Sequence, residues 1–164
     1  MRKFLGVIAI LLVIQTSYKI IPILAQGIEA TFANQTPEDE DSLAIKKVIE
    51  TFLTCFVQKD VDGLMSGVSK SYSATAGDQT IDYDKFKANN QNRLKEVVDL
   101  SISNLMIESL NVEGDHATAV ATFNLKGTVL RTMKDMDTVA KRKYSLTKED
   151  GVWKIVSVKM LRAG

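Results

Sequence analysis

Val98-Asp99-Leu100-Ser101-Ile102-Ser103 alternates apolar and polar residues, and this alternation decides the fold. A period of two sends successive side chains to opposite faces of a β-strand, so the stretch opens a long strand with one face buried. Carried as one parity to Val112, the inward set is Val98, Leu100, Ile102, Met106, Leu110 and Val112. Asn104 and Glu108 fall on that set, and Leu105 and Ile107 fall on the outer one. A bulge near Leu105-Met106-Ile107, where both parities are apolar, would turn Glu108 outward.

Downstream, Glu113-Gly114-Asp115 reads as a turn. The next strand puts Ala117, Ala119, Ala121, Phe123 and Leu125 on one face. Met133 to Asp137 turns the chain into a third strand, Val139 to Thr147, and Glu149-Asp150-Gly151 turns it into a last one, Val152 to Leu161. Upstream the period lengthens. Thr36 as cap, Pro37 at the first helical position and the acids after it start a helix that carries Ile45, Val48, Ile49, Phe52, Leu53 and Phe56 to about Gln58. Asp60 caps a short second helix. Asp82 caps a third, with Tyr83, Phe86, Asn90, Leu94 and Val97 on its inner line. Three helices followed by an antiparallel meander predict an α+β domain with the helices on one face of a curved sheet. Ile49, Phe52, Phe56, Phe86, Leu100, Phe123 and Trp153 should share one core.

The chain has 164 residues, 45% hydrophobic and 25% charged, as expected of one globular domain rather than a disordered or collagenous chain. Its 21 bases against 20 acids argue against a nucleic-acid partner bound through phosphate neutralisation. A single Cys excludes an internal disulfide, and one Cys with one His excludes a Cys/His zinc site. No cofactor or metal is expected.

The amino terminus has its own pattern. Arg2 and Lys3 precede the apolar run Phe4 to Ile14, and Ala25 is a small residue suited to cleavage. The run is shorter than the roughly 20 residues that span a bilayer and matches a secretory leader. Residues 1–25 are therefore expected to be a signal peptide, 26–35 a linker and 36–164 the domain, exported to a periplasm or the outside. Ala30 and Ala33 are later cleavage options. The alternative is an uncleaved membrane anchor over residues 4–24.

Four features share an order with a known family. They are Phe56-Val57-Gln58-Lys59-Asp60 closing the first helix, the Tyr83 to Val97 helix entering a long strand, Glu113-Gly114-Asp115-His116-Ala117-Thr118-Ala119, and Lys148-Glu149-Asp150-Gly151-Val152-Trp153-Lys154-Ile155. Together they resemble the nuclear transport factor 2-like superfamily, and within it the SnoaL-like group, over about residues 38 to 162. The resemblance implies a cone: a curved antiparallel sheet with the three helices on its concave face and a pocket at the open end. It implies a broad range of roles, from isomerases, cyclases and dehydratases to association domains, and fold alone does not choose among them.

The inward parities supply the candidate site. Asn90, Asn104, Glu108 and Tyr144 are the candidate ligand-binding residues. No residue stands out as catalytic. Glu108 is the one acid on an otherwise apolar face, and a buried carboxylate there would be a general base; the preferred reading is that it meets water where the strand outruns the helices. Arg142 shares the inward parity with Tyr144, yet Lys141-Arg142-Lys143 reads as a solvated hairpin. His116 and Asp99 read as exposed. Asp60/Asp62, Asp82/Asp84 and Asp135/Asp137 read as caps and turn acids rather than metal ligands. Leu105, Ile107 and Val120, with apolar residues on both sides of the last strand, predict a homodimer through the outer sheet face. The functional expectation is a small apolar ligand or a partner protein held in the cone. The alternatives are an isomerase, cyclase or dehydratase using a pocket carboxylate such as Glu108 or Asp99, and a dimerisation module of an envelope assembly.

Overall fold

The computed structural model describes residues 39–162. The expected leader, linker, anchor segment and Thr36-Pro37 cap all lie outside these residues. Helix α1 spans Glu40–Gln58, α2 Val61–Ser66 and α3 Tyr83–Lys95. A small hairpin, β1 (Ser73–Ala76) and β2 (Gln79–Asp82), precedes α3. Four long strands follow: β3 (Val97–Glu113), β4 (His116–Val129), β5 (Lys134–Glu149) and β6 (Val152–Leu161). They pair in chain order as one antiparallel sheet. The class is α+β, with a curved antiparallel sheet and helices against one face.

Local chemistry sets the boundaries. The cap of α1 is Asp39, whose carboxylate accepts the Ser42 amide at 2.7 Å and the Ser42 hydroxyl at 3.0 Å. This places the cap three residues past Thr36: the side-chain oxygen that reaches the free amides of the first turn belongs to Asp39. Lys59 closes α1 in the left-handed conformation, with φ 59°, and Asp60 then caps α2 through the Gly63 amide at 2.9 Å. Asp82 caps α3 through the Lys85 amide at 2.9 Å. The segment expected to turn at Met133 to Asp137 turns earlier, and β5 begins at Lys134, because Asp135 and Asp137 pair with Thr128 and Lys126 across the ladder.

Strand β3 corrects the single parity. Its register against β4 slips at three places, between Val98 and Ser101, Ser103 and Met106, and Ile107 and Ser109. Each slip adds one residue to β3, and each extra residue reverses the alternation. Against the unbroken odd-numbered inward row of β4, the inward residues of β3 are therefore Val97, then Leu100 and Ile102, then Leu105 and Ile107, then Leu110 and Val112. Two of the bulges use Asp99 and Asn104 at φ 52° and 53°, the left-handed region that short polar side chains tolerate. Met106, expected inside, is 56% exposed. Leu105 and Ile107, expected outside, pack against the core. Strand β6 also carries an extra residue where Ser145/Leu146 faces Ser157/Ile155, so Val158 and Met160 share the inner face with Trp153 and Ile155. The apolar stripe expected on the outer face thus loses Leu105, Ile107, Val158 and Met160.

One core holds the helices to the sheet. Ile49, Phe52, Phe56, Phe123 and Trp153 are buried in it, with Phe86 and Leu100 packed at its margin. Gly127 lets β4 approach the first bulge: a Cβ there would lie 3.1 Å from side-chain atoms of Val97 and Leu100 and from the Val98 carbonyl oxygen.

Asp41 ties α1 to β6 and the end of β5. Its carboxylate accepts Lys148 Nζ at 2.7 Å and Trp153 Nε1 at 2.8 Å. The Lys148 bond, then the Trp153 bond, hold its pKa below the ordinary carboxylate value. A carboxyl with a lowered folded-state pKa contributes stability that is fully present above its unfolded value, about 3.9, and is lost as pH falls through the folded value. Asp41→Asn should therefore lower the urea midpoint at pH 7, and the gap to the wild type should narrow below about pH 4. A gap of equal size at both pH values would show that the ion pair is not its source.

Candidate functional site

Two adjoining cavities lie between the helices and the inner face of the sheet, with volumes of about 350 and 610 Å³. Phe56, Arg93, Arg142 and Met160 line both. The smaller lies under the β1–β2 hairpin and α3, against Tyr72, Ile81 and Phe86. The larger opens between the end of α3 and the far ends of β4 and β5, against Leu100, Leu125 and Met136. Two apolar residues at its margin, Val139 and Met160, are 51% and 74% exposed. An apolar surface left open beside a cavity is the usual mark of a ligand entrance.

Arg142 stands where the cavities meet. Alternation along β5 sends it inward with Tyr144, two residues on, while Lys141 and Lys143 point the other way. Its register partner on β4 is Ala121, whose small side chain leaves room for the guanidinium. Arg142 is 9% exposed, with its guanidinium carbon 5.2 Å from the Phe123 ring centre and 5.8 Å from that of Phe56. Among the described residues its Nε is buried without a hydrogen-bond partner, and so is the hydroxyl oxygen of Tyr144, a residue with no solvent exposure. Burial pushes the Tyr144 phenol above its ordinary pKa, so it stays a neutral O–H donor. The nearby Arg142 charge offsets part of that rise without forming a hydrogen bond of standard geometry. Among the described residues no carboxylate pairs with Arg142.

The expected site residues divide. Asn90 is buried on α3, lines the smaller cavity and donates from Nδ2 to the Phe86 carbonyl at 2.9 Å. Tyr144 follows Arg142 on the inner face of β5 but is not among the described residues that line either cavity; its ring centre lies 6.1 Å from that of Phe52. Asn104 and Glu108 are not with them. Asn104 forms the second bulge and is exposed. Glu108 falls in the third and points to the outer face, where its carboxylate accepts Thr122 Oγ1 at 2.5 Å and Lys141 Nζ at 2.6 Å. Lys141, then Thr122, lower its pKa rather than burial raising it, so Glu108 is the outward carboxylate of the preferred reading and not the general base that a buried one would be. The carboxylate among the described lining residues of the two cavities is Glu96, exposed at the end of α3. Asp99 and His116 are exposed. Five of these six paired acids have structural partners: Asp60 and Asp82 cap helices, Asp62 pairs with Lys87, Asp135 accepts from Thr128 Oγ1, and Asp137 pairs with Lys126.

A wider groove of about 770 Å³ follows α1, α2 and the start of β6. The polar groups at its end, Asp41, Lys148 and Trp153, are satisfied by one another. Arg142 and Arg93 are the functional candidates absent from the sequence reading. The alternation placed Arg142 inward, but its basic neighbours made the run look solvated.

No protein-family model and no curated protein matches the chain. Solved structures do. A ketosteroid isomerase-like protein from Erwinia carotovora atroseptica superposes with a TM-score of 0.66 at 14% identity, covering 77% of this chain and 100% of that one. A candidate dehydratase of the nuclear transport factor 2-like family from Streptomyces avermitilis gives 0.61 at 12% identity, covering 77% and 100%. A candidate calcium/calmodulin-dependent protein kinase type II association domain from Thiobacillus denitrificans gives 0.59 at 9% identity, covering 73% and 94%. The chain has the nuclear transport factor 2-like fold. At these identities the likeness extends to the architecture alone, and these neighbours include an isomerase-like protein, a candidate dehydratase and a candidate association domain.

Proposed function

We propose that this chain is an exported SnoaL-like domain that binds a small, largely apolar molecule in its cone. The observation that carries this reading is the pair of adjoining cavities on the inner face, each within or near the size of ordinary small-molecule sites. Their apolar walls and exposed apolar margin favour a hydrophobic ligand body. The leader-like pattern of residues 1–25 supports export. An isomerase- or dehydratase-type activity would need a base in the cavity, and Glu108 is held on the outer face by Lys141.

Titration of the full chain with the neutral, environment-sensitive dye Nile red tests the binding. One saturable site is expected, competed by small apolar aromatics. Ala140 lines the larger cavity, and Ala140→Trp should fill it and reduce dye binding at least tenfold while the circular dichroism spectrum is kept. Absence of saturable binding, or equal binding by a folded Ala140→Trp variant, would overturn the reading.

A further inference from the structure

The geometry points to an apolar organic acid as the ligand, its carboxylate held by Arg142 at the junction of the two cavities; this rests on the cone being a binding site. A guanidinium has five N–H donors and no acceptor, and its charge is costly to bury unpaired. Arg142 is held in that condition. The rings of Phe56 and Phe123 offer it π faces but no acceptor oxygen. Its Nε is buried and has no hydrogen-bond partner among the described residues. Arg142 lines both cavities, so a nine-tenths buried donor without an acceptor faces them and leaves a place for one group: an anion that accepts from the guanidinium.

The surrounding charge agrees in sign. Among the described residues, Arg93, Arg142 and Lys159 line the smaller cavity and no acid does. Glu96 is the acid lining the larger one, and it is exposed. A carboxylate suits the planar fork of an arginine, which can bind both of its oxygens. The walls on either side of Arg142 are apolar and aromatic, so the remainder of the ligand is hydrocarbon in character. The structure therefore assigns polarity to the ligand: head at Arg142, body toward Phe86 and Tyr72 or toward Leu100 and Leu125.

Matched probes test this by isothermal titration of the full chain: 2-naphthoate against 2-naphthalenemethanol, and decanoate against decanol. In the wild type the acid of each pair should bind roughly ten- to a hundredfold more tightly than the alcohol, the range of a charge-assisted hydrogen bond in a dry site. Arg142→Met should remove most of that preference while leaving alcohol binding within about threefold, and Arg142→Lys should reduce it by a smaller factor, because an ammonium keeps the charge and loses the planar fork. Thermal unfolding of both variants checks that they fold; should Arg142→Met fail, Arg142→Lys carries the test. Equal affinity for acid and alcohol, or a preference unchanged in a folded Arg142 variant, overturns the acid assignment and leaves the apolar-binder reading standing. No binding of any probe by folded wild type overturns both.

Discussion

Trp153→Ala should lower the unfolding free energy by about 3–5 kcal/mol, the usual range for removing a buried aromatic ring. Trp153 is 2% exposed and sits near the start of β6, where the sheet meets α1. Truncation leaves a void, and it also removes the indole N–H that Asp41 accepts. Trp153→Phe separates the two effects, since it keeps most of the packing and loses only the donor. Urea denaturation followed by circular dichroism measures both. A loss below about 1 kcal/mol for the alanine variant would show that the indole is not part of the core.

Phe52→Ala should cost a similar amount, about 3–5 kcal/mol, and it should alter binding as well. Phe52 is 3% exposed, 6.4 Å from the Phe86 ring centre and 6.1 Å from that of Tyr144. Its ring lines both the α1 groove and the smaller cavity. Removing it merges packing loss with a change in cavity shape, so Nile red affinity should shift along with stability. A destabilised variant that binds the dye as the wild type does would place the site in the larger cavity alone.

Much of this architecture was legible in the sequence because its signals are local. Asp60 and Asp82 cap their helices by bonding amides three residues away, and the Phe52 and Phe56 line follows from helical spacing alone. The inward row of β4 was legible because no bulge interrupts it between Ala117 and Leu125. The phase of β3 could be read only in part: a bulge near Leu105-Met106-Ile107 showed in the apolar residues on both parities, and the number and places of the slips did not. An extra residue in a strand is defined by its partner strand, and no pattern within Val97 to Glu113 states how many residues of β4 lie opposite. Asp99 and Asn104 were the available hints, being short polar residues in an apolar strand that tolerate positive φ. From that missed phase followed the misplacement of Asn104 and Glu108 in the site. Arg142 was hidden differently: its inward parity was plain, and the neighbouring lysines outweighed it. An arginine between two lysines on a strand shares a face with neither.

The three bulges of β3 also give the strand spare length. At each of them the chain can lose one residue, near Asp99, Asn104 or Glu108, and every apolar side chain still meets the same partner row on β4. What such a loss removes is the bend, since a regular ladder twists and coils less than a bulged one. Shortening is therefore tolerated at those three places and ruinous between them, where it would carry whole runs of Leu and Ile to the wrong face. Insertions and deletions in β3, more than substitutions in the cavity walls, are then the changes through which the curl of this sheet, and the width of the hollow behind it, would be reset in related chains.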